Sequence, residues 1–172
     1  MTDDVIPEPS AVEVEMAYGC PVSWSREQRV IHPGRDQWLE VCSALLADGF
    51  NMCVDITAVD FLTFGGQRQL PVGVQPERFE VVASFLSHER RERIRARVQV
   101  AEADASIASL YSIYPGTDTL EREVYDLLGI EFVGHPDLSR IMMPEHWEGH
   151  PLRKDYATGA IPVQFKGAPA AR

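Results

Sequence analysis

The chain has 172 residues, 45% of them apolar, and its formal net charge is −10 at pH 7. Length and composition fit one globular domain with extensions, and no apolar run approaches the roughly 18 residues that would span a bilayer. The acidic balance disfavours nucleic-acid binding, and the acidic first four residues are unlike a secretory signal or a transit peptide. We therefore expect a cytosolic protein, or one held at a membrane only through partners.

The charge is unevenly distributed, with −11 on residues 1–133 and +1 on residues 134–172. The three cysteines, Cys20, Cys42 and Cys53, lie far apart and show no C-x-x-C spacing. They are too few for a standard iron–sulfur cluster and lack zinc-site spacing. We interpret them as free thiols, buried and kept reduced.

The first half of the chain predicts a lead-in, a strand and a helix. Residues 1–20 are polar with two prolines, and we interpret them as a flexible lead-in. A short strand is expected within 22–31. Residues 36–48 predict a helix because apolar residues recur at helical spacing. Asp36 is its candidate N-cap, and Gly49 fits the left-handed position after its end.

Three further segments predict β-strands. Residues 52–58 alternate apolar and polar side chains, which is the period of a strand. After a long loop at 62–77, residues 78–86 are almost continuously apolar, so we expect this strand near the centre of a sheet. Residues 90–100 alternate most clearly of all.

The last of these strands carries a column of arginines, Arg93, Arg95 and Arg97, which we call the arginine column. Such a column could bind phosphate. The alternative is a face that solvent or a partner covers and whose charge nearby acids offset. No Gly-rich phosphate loop accompanies the arginines, and this favours the alternative.

Two helices are predicted next, a short one at 105–111 and a longer one that begins at Asp118 and ends at Gly129. Glu121 stands three residues after Asp118, as in a capping box. Leucine and valine form one stripe of the longer helix, and its acids, Asp126 among them, are expected on the opposite, polar side.

These elements together predict an α+β fold, with one antiparallel sheet backed by helices, in a domain spanning 21–130. From residue 131 onward the periodicity disappears, and prolines and glycines exclude a long helix or a central strand. The segment is nevertheless rich in Ile, Met, Leu and Trp, unlike a disordered tail. We therefore predict that 131–172 is an extended, irregular C-terminal segment that binds a partner.

The most informative part of that segment is GHPDLSRIMMPEHWEGHPLRKDY, residues 134–156, which we call the strap. His146 and His150 are four residues apart and could hold zinc on a helix, with His135 as a third ligand. The surrounding prolines and glycines disfavour a helix there. The chain also lacks a nucleophile elbow and a nucleotide-binding glycine motif.

The residue types of the strap favour recognition instead. Arginine, tryptophan and tyrosine are enriched at protein interfaces, where they anchor contacts. From the residues alone two alternatives stay open: the strap seals the chain's own helix, or it contacts another chain.

Residues 120–156, LEREVYDLLGIEFVGHPDLSRIMMPEHWEGHPLRKDY, resemble the signature of the C subunit, or 30-kDa subunit, of respiratory complex I. DITAVDF at 55–61 and RFEVVASFLS at 78–87 resemble the strands of that family in the same order. The resemblance spans roughly 36–156. The short acidic amino terminus is typical of a bacterial member rather than of a mitochondrial precursor.

The resemblance implies a structural and assembly role, without a cofactor of its own, in the hydrophilic arm of a proton-translocating NADH–quinone oxidoreductase. The chain would dock on the D (49-kDa) subunit, with the B and I subunits as further partners. Iron–sulfur clusters, FMN and quinone would belong to partner subunits. The complex would lie on the cytoplasmic side of the bacterial cell membrane, and the isolated chain would be non-catalytic.

The partner interface that we expect consists of Glu121, Arg122, Glu123, His135, Arg140, Trp147, His150, Arg153, Lys154, Asp155 and Tyr156. One alternative is the equivalent subunit of a membrane-bound hydrogenase or of an F420H2- or ferredoxin-linked dehydrogenase. The other is a stand-alone metal-dependent enzyme that uses His135, His146 and His150.

Overall fold

The computed structural model describes residues 14–157 and residue 159. The greater part of the predicted lead-in and the end of the predicted C-terminal segment therefore lie outside the described residues. In chain order the elements are β1 Met16–Ala17, β2 Cys20–Ser25, β3 Gln28–Ile31, α1 Trp38–Ala47, β4 Met52–Asp60, β5 Phe79–Ser87, β6 Glu92–Val100, β7 Ser106–Ala108, α2 Asp118–Leu128 and β8 Glu131–Val133.

Six strands form one sheet in the order β1-β2-β3-β6-β5-β4, and β7 pairs with β8 in a small second sheet. The α+β class is confirmed. The large sheet is mixed rather than purely antiparallel, because β3 runs parallel to β6. A long connection through α1, β4 and β5 separates these two strands, and such a connection lets strands lie side by side in the same direction.

Both helices pack on one face of this sheet. Trp38 of α1 and Val124 of α2 belong to the same buried cluster as Val81 and Phe85 of β5 and Ile94 of β6. Among the described residues no helix lies on the opposite face, which we call the open face. There the loop between β4 and β5 crosses one end of the sheet. No helix in the described ranges is both long and apolar enough to cross a membrane.

The predicted strands at 78–86 and 90–100 are confirmed as β5 and β6 within one or two residues at each end. The expected alternation in β4 is interrupted, because a register shift between Cys53 and Asp55 breaks its pairing with β5. The predicted short helix at 105–111 is wrong. Its first residues form β7, whose pairing with the distant β8 overrides the local helical pattern.

The predicted caps differ from the observed ones. A turn closed by the Gln37 N–H on the Gly34 carbonyl precedes α1, so Asp36 lies before the helix and Gln37 is its N-cap. Gly49 does adopt a left-handed φ of 89° after α1. Helix α2 follows a 3₁₀ turn and makes no side-chain cap hydrogen bond, so the capping box at Asp118 is wrong.

Candidate functional site

The strap lies against α2 of its own chain, and Asp126 is the centre of that contact. The Asp126 carboxylate is 0% exposed. One carboxylate oxygen accepts the backbone N–H groups of Ile141, Met142 and Met143 at 3.0, 2.7 and 2.8 Å. The other pairs with the Arg140 guanidinium at 2.6 Å. One helical carboxylate therefore satisfies three successive backbone donors of the strap.

The electrostatics of Asp126 follow from these contacts. Burial opposes its ionisation, but the N–H groups of Met143 and Met142 and the Arg140 guanidinium outweigh burial and hold the pKa of Asp126 below its usual value. Asp126 is therefore an ionised anchor at neutral pH. Asp126 lies off the apolar stripe as expected, but its side of the helix is not open to solvent, because the strap covers it.

Two further side chains join α2 to the strap. Arg122 donates to the carbonyl of Ser139 at 3.1 Å and to its hydroxyl at 2.8 Å. His150 Nδ1 lies 3.0 Å from the backbone oxygen of Asp126 and donates to it, since a carbonyl can only accept. Both contacts use backbone or hydroxyl partners of the chain itself.

Gly129 permits the close approach of His150. Its φ of 73° ends α2 in the left-handed region, and a Cβ at this position would lie 2.6 Å from the ring carbon Cδ2 of His150. Any side chain here would therefore meet both backbone strain and the imidazole ring.

His135 attaches the start of the strap to the start of α2. Its side chain is 0% exposed, and Nε2 lies 3.2 Å from the backbone oxygen of Asp118. The backbone N–H of Asp137 donates to Nδ1 at 3.1 Å. Nδ1 is thus an acceptor, and Nε2 is the donor to Asp118.

The end of the strap is fixed to the sheet by a second buried carboxylate, Asp60. Its Oδ2 accepts the backbone N–H of Lys154 at 2.8 Å and pairs with Arg78 at 2.9 Å. Burial opposes ionisation, but Arg78 and the backbone N–H groups of Lys154 and Leu62 outweigh burial and lower the pKa of Asp60. Arg78 also pairs with Asp155. Hydrogen bonds from Arg78 and from Arg153 together lower the pKa of Asp155.

The eleven residues predicted for the partner interface fall into distinct groups. The side chains that bind the chain itself are those of Glu121, Arg122, His135, Arg140, His150, Arg153 and Asp155. Glu123 and Lys154 are exposed, and Trp147 and Tyr156 are half-buried. Most of these side chains therefore contact their own chain, some from α2 and some from the strap.

Glu121 is a buried anchor rather than a surface residue. Its carboxylate is 0% exposed and accepts hydrogen bonds from the Leu110 N–H at 2.7 Å, the Thr117 hydroxyl at 3.1 Å and the Ser109 hydroxyl. Burial raises the pKa of Glu121, although these three donors work in the opposite direction. In this fold its carboxylate contacts its own chain.

The histidines proposed as metal ligands lie at different places. His135 contacts Asp118 in the first turn of α2, and His150 contacts Asp126 eight residues later, about 12 Å along a helix axis at 1.5 Å per residue. His146 is exposed. Within the described residues, no group of three or more His, Cys, Asp and Glu side chains could hold a metal ion.

Three important residues were absent from the sequence-based set: Asp126, Asp60 and Arg78. The sequence does contain one signal for the first of them. The strap has many backbone N–H groups and no secondary structure to satisfy them, so acceptors had to come from elsewhere. The acidic side chains of the preceding helix were candidate acceptors, but the periodicity of the sequence does not indicate which of them accepts these N–H groups.

The outer side of the strap presents apolar side chains to solvent. Met142 is 61% exposed, Leu152 53% and Ile141 40%. The backbone N–H groups of Ile141 and Met142 donate to Asp126, and the backbone N–H of Leu152 donates to the carbonyl of Leu127. Backbone contacts inward and apolar side chains outward are an arrangement suited to recognition.

The fold and strap together match a known class of protein. A solved structure described as Nqo5, the trypsin-resistant fragment (1-134), superposes with a TM-score of 0.62 at 34% identity, covering 70% of this chain and 90% of that one. A family model described as the respiratory-chain NADH dehydrogenase 30 Kd subunit matches residues 31–161. The chain belongs to this family.

Curated relatives are named as the C subunit of NADH-quinone oxidoreductase. The protein of Saccharopolyspora erythraea is 40% identical over 86% of this chain, and that of Geobacter metallireducens is 42% identical over 71%. The match covers 56% of the first protein and 70% of the second. The chain thus spans about half the length of several curated relatives. A structure of the membrane-bound sulfane sulfur reductase, an archaeal respiratory membrane complex, shares the fold at 20% identity and a TM-score of 0.62.

Proposed function

We propose that this chain is a structural subunit, without its own cofactor, in the peripheral arm of a proton-translocating NADH–quinone oxidoreductase. The outer side of the strap docks on the D (49-kDa) subunit, and the B and I subunits lie nearby. Iron–sulfur clusters, FMN and quinone belong to those neighbours. The chain is held at the cytoplasmic side of the cell membrane only through the complex, and it contributes to assembly rather than to chemistry.

The observation that carries this proposal is that an otherwise anchored strap keeps large apolar side chains exposed. Ile141, Met142 and Leu152 are large apolar side chains that a free subunit would keep in water at a cost. Asp126 and Asp60 already hold the backbone beneath them. A partner would therefore meet a preformed surface and lose little conformational entropy in binding it.

Family membership and the relatives' names support the assignment to the oxidoreductase. The solved Nqo5 relative is described as a trypsin-resistant fragment, and it covers 70% of this chain.

The test replaces outer apolar residues by charge in the full-length protein. Met142→Glu with Leu152→Glu is expected to abolish co-purification of the D subunit from mild-detergent extracts and NADH–quinone activity of the membranes. Val72→Glu is the matched control, since Val72 is 68% exposed and lies in the loop after β4. Normal assembly and activity in the double variant would overturn the proposal.

Arg153→Ala tests the same docking from the charged end of the strap. Arg153 is 23% exposed and pairs with Asp155 in its own chain. We expect weaker assembly with the D subunit but a retained fold, because such partly exposed pairs contribute about 1 kcal/mol or less. Unchanged yield of the assembled complex would count against a role in docking.

A second candidate function is the equivalent subunit of a related membrane-bound respiratory complex. The shared fold with the sulfane sulfur reductase structure motivates it. Identification of the co-purifying proteins decides between the two, because only the oxidoreductase brings an NADH-binding flavoprotein. Hydrogenase or F420H2-linked subunits in the extract would favour this second candidate.

A further inference from the structure

The arginine column lies on the open face of the sheet, away from the strap. Arg93, Arg95 and Arg97 alternate along β6 with Ile94 and Ala96, which are buried on the helix-covered face. The neighbouring positions of β5 on the open face are Ser84, opposite Arg95, and Leu86, opposite Arg93. All of these β5 and arginine positions retain some exposure.

The column is compensated at one end only. Glu80 is 1% exposed and pairs with both Arg97 and Arg68, so one buried carboxylate serves two guanidinium groups. Arg95 donates to the neutral side chain of Gln28 at 3.3 Å. In the part of the chain that the structure describes, neither Arg93 nor Arg95 forms an ion pair. At the Arg93 end of the column, two guanidinium groups are therefore left without a carboxylate partner among the described residues.

Two adjoining cavities open at that end. A small one of about 80 Å³ is lined by Gln28, Ser84, Arg93 and Arg95, among others. A larger one of about 580 Å³ shares Gln28 and Arg93 and extends to Trp24, which is 55% exposed. The small cavity has room for a carboxylate beside two guanidinium groups, and the larger one has room for adjoining chain.

The ligand class follows from the signs of the charges. The larger cavity also contains Glu27 and Glu92, with Glu92 3.9 Å from Arg29. Acids interspersed with arginines would repel a continuous polyanion such as nucleic acid. A single carboxylate flanked by apolar residues suits the site better, because arginine binds carboxylates with a bidentate fork and Trp24 offers an apolar anchor.

We propose that the open face binds a segment of a second partner protein that places one Asp or Glu carboxylate between Arg93 and Arg95 and an apolar neighbour against Trp24. This proposal rests on the proposed function, in which neighbouring subunits supply such a segment. The strap and the arginine column lie on opposite sides of the sheet. The chain then acts as a bridge that holds two neighbours at once.

Site-specific photocrosslinking in the assembled complex tests the bridge. p-Benzoylphenylalanine is placed at Val54, which is 43% exposed and lines the small cavity, or at Met142 on the strap. We expect position 54 to crosslink an Asp- or Glu-bearing peptide of one neighbouring protein, and position 142 to crosslink a different surface. Mass spectrometry identifies each peptide.

Charge reversal tests whether Arg93 contributes to this binding, and a second charge reversal elsewhere is the control. Arg93→Glu is expected to lower the position-54 crosslink about tenfold, which corresponds to the loss of about 1.4 kcal/mol, whereas Arg26→Glu, an exposed arginine in the β2–β3 turn, leaves it unchanged. Thermal denaturation verifies that both variants fold.

The outcomes separate this proposal from the proposed function. A crosslink from position 142 but none from position 54, a crosslink from 54 to lipid, RNA or a peptide without acids, or a position-54 crosslink that Arg93→Glu does not lower would overturn the bridge alone. If neither position crosslinks any neighbouring protein, both proposals fail.

Discussion

The sheet body and the strap are held in place by different interactions. The body packs apolar residues such as Phe85 and Ile94 between the sheet and two helices. No strap residue is fully buried, and two buried carboxylates, Asp126 and Asp60, accept backbone N–H groups of the strap. An irregular segment can therefore be ordered by polar contacts, and its order depends on very few residues.

The largest effect is expected in the body. Phe85 is 0% exposed, and its ring lies 5.3 Å from that of Tyr114 and 6.5 Å from that of Trp38. Phe85→Ala should lower the free energy of unfolding by about 3–5 kcal/mol through lost burial and a cavity. Urea denaturation followed by circular dichroism should show body and strap lost in one transition. Loss of the strap alone would contradict the distinction between the two regions.

Asp126→Ala should release the strap while the body stays folded. It removes the acceptor of three N–H groups and leaves Arg140 without its partner, and we expect a cost of about 2–4 kcal/mol to strap attachment. Limited trypsin digestion should cut after Arg140 much faster than in the wild type. Glu123→Ala, an exposed acid on the same helix, is the control.

Gly129→Ala probes the junction of body and strap. Gly134 is the matched control, because its φ is 88° but a Cβ there would meet nothing within 4 Å. Both substitutions should cost about 1–2 kcal/mol through backbone strain. Only Gly129→Ala should also displace His150 and accelerate hydrogen exchange in the strap. Equal rates of hydrogen exchange in the two variants would show that His150 does not help to attach the strap to α2.

The smallest effect concerns pH. The lowered pKa of Asp126 means that its stabilisation is present above the ordinary carboxyl pKa of about 4 and disappears as the pH falls through the lower folded value. The wild type and Asp126→Asn should differ in the resistance of the strap to protease, and this difference should therefore shrink as the pH falls. A difference that stays constant down to about pH 2 would show that Asp126 does not act through its charge. An acid-stable protease such as pepsin can report this.

Local patterns were sufficient for the elements with regular burial. The alternation at 90–100 predicted β6, and the continuous apolar run at 78–86 predicted β5 at an inner position of the sheet. The residue types of the strap and the quoted motifs led to the correct family. The strands follow from a repeated pattern of side chains, and the family follows from a long ungapped match to its motif.

The same patterns were insufficient where distant groups meet. The segment at 105–111 became β7 because β8 supplied hydrogen bonds from beyond α2. Asp126 and Glu121 looked like polar-face residues because hydrophobic periodicity assigns acids to solvent. The partners that make their burial favourable come from the strap and from residues 109–117.

The amino-acid order alone was enough for the α+β class, the inner strands β5 and β6, the irregular path of the strap and the family, because these follow from local periodicity, proline placement and motif identity. Long-range packing set the parallel pairing of β3 with β6, the burial of Asp126 and Asp60, and the separation of the strap from the arginine column on opposite faces. The physical reason is that a buried carboxylate is stable only when distant donors converge on it, and convergence is a property of the folded chain.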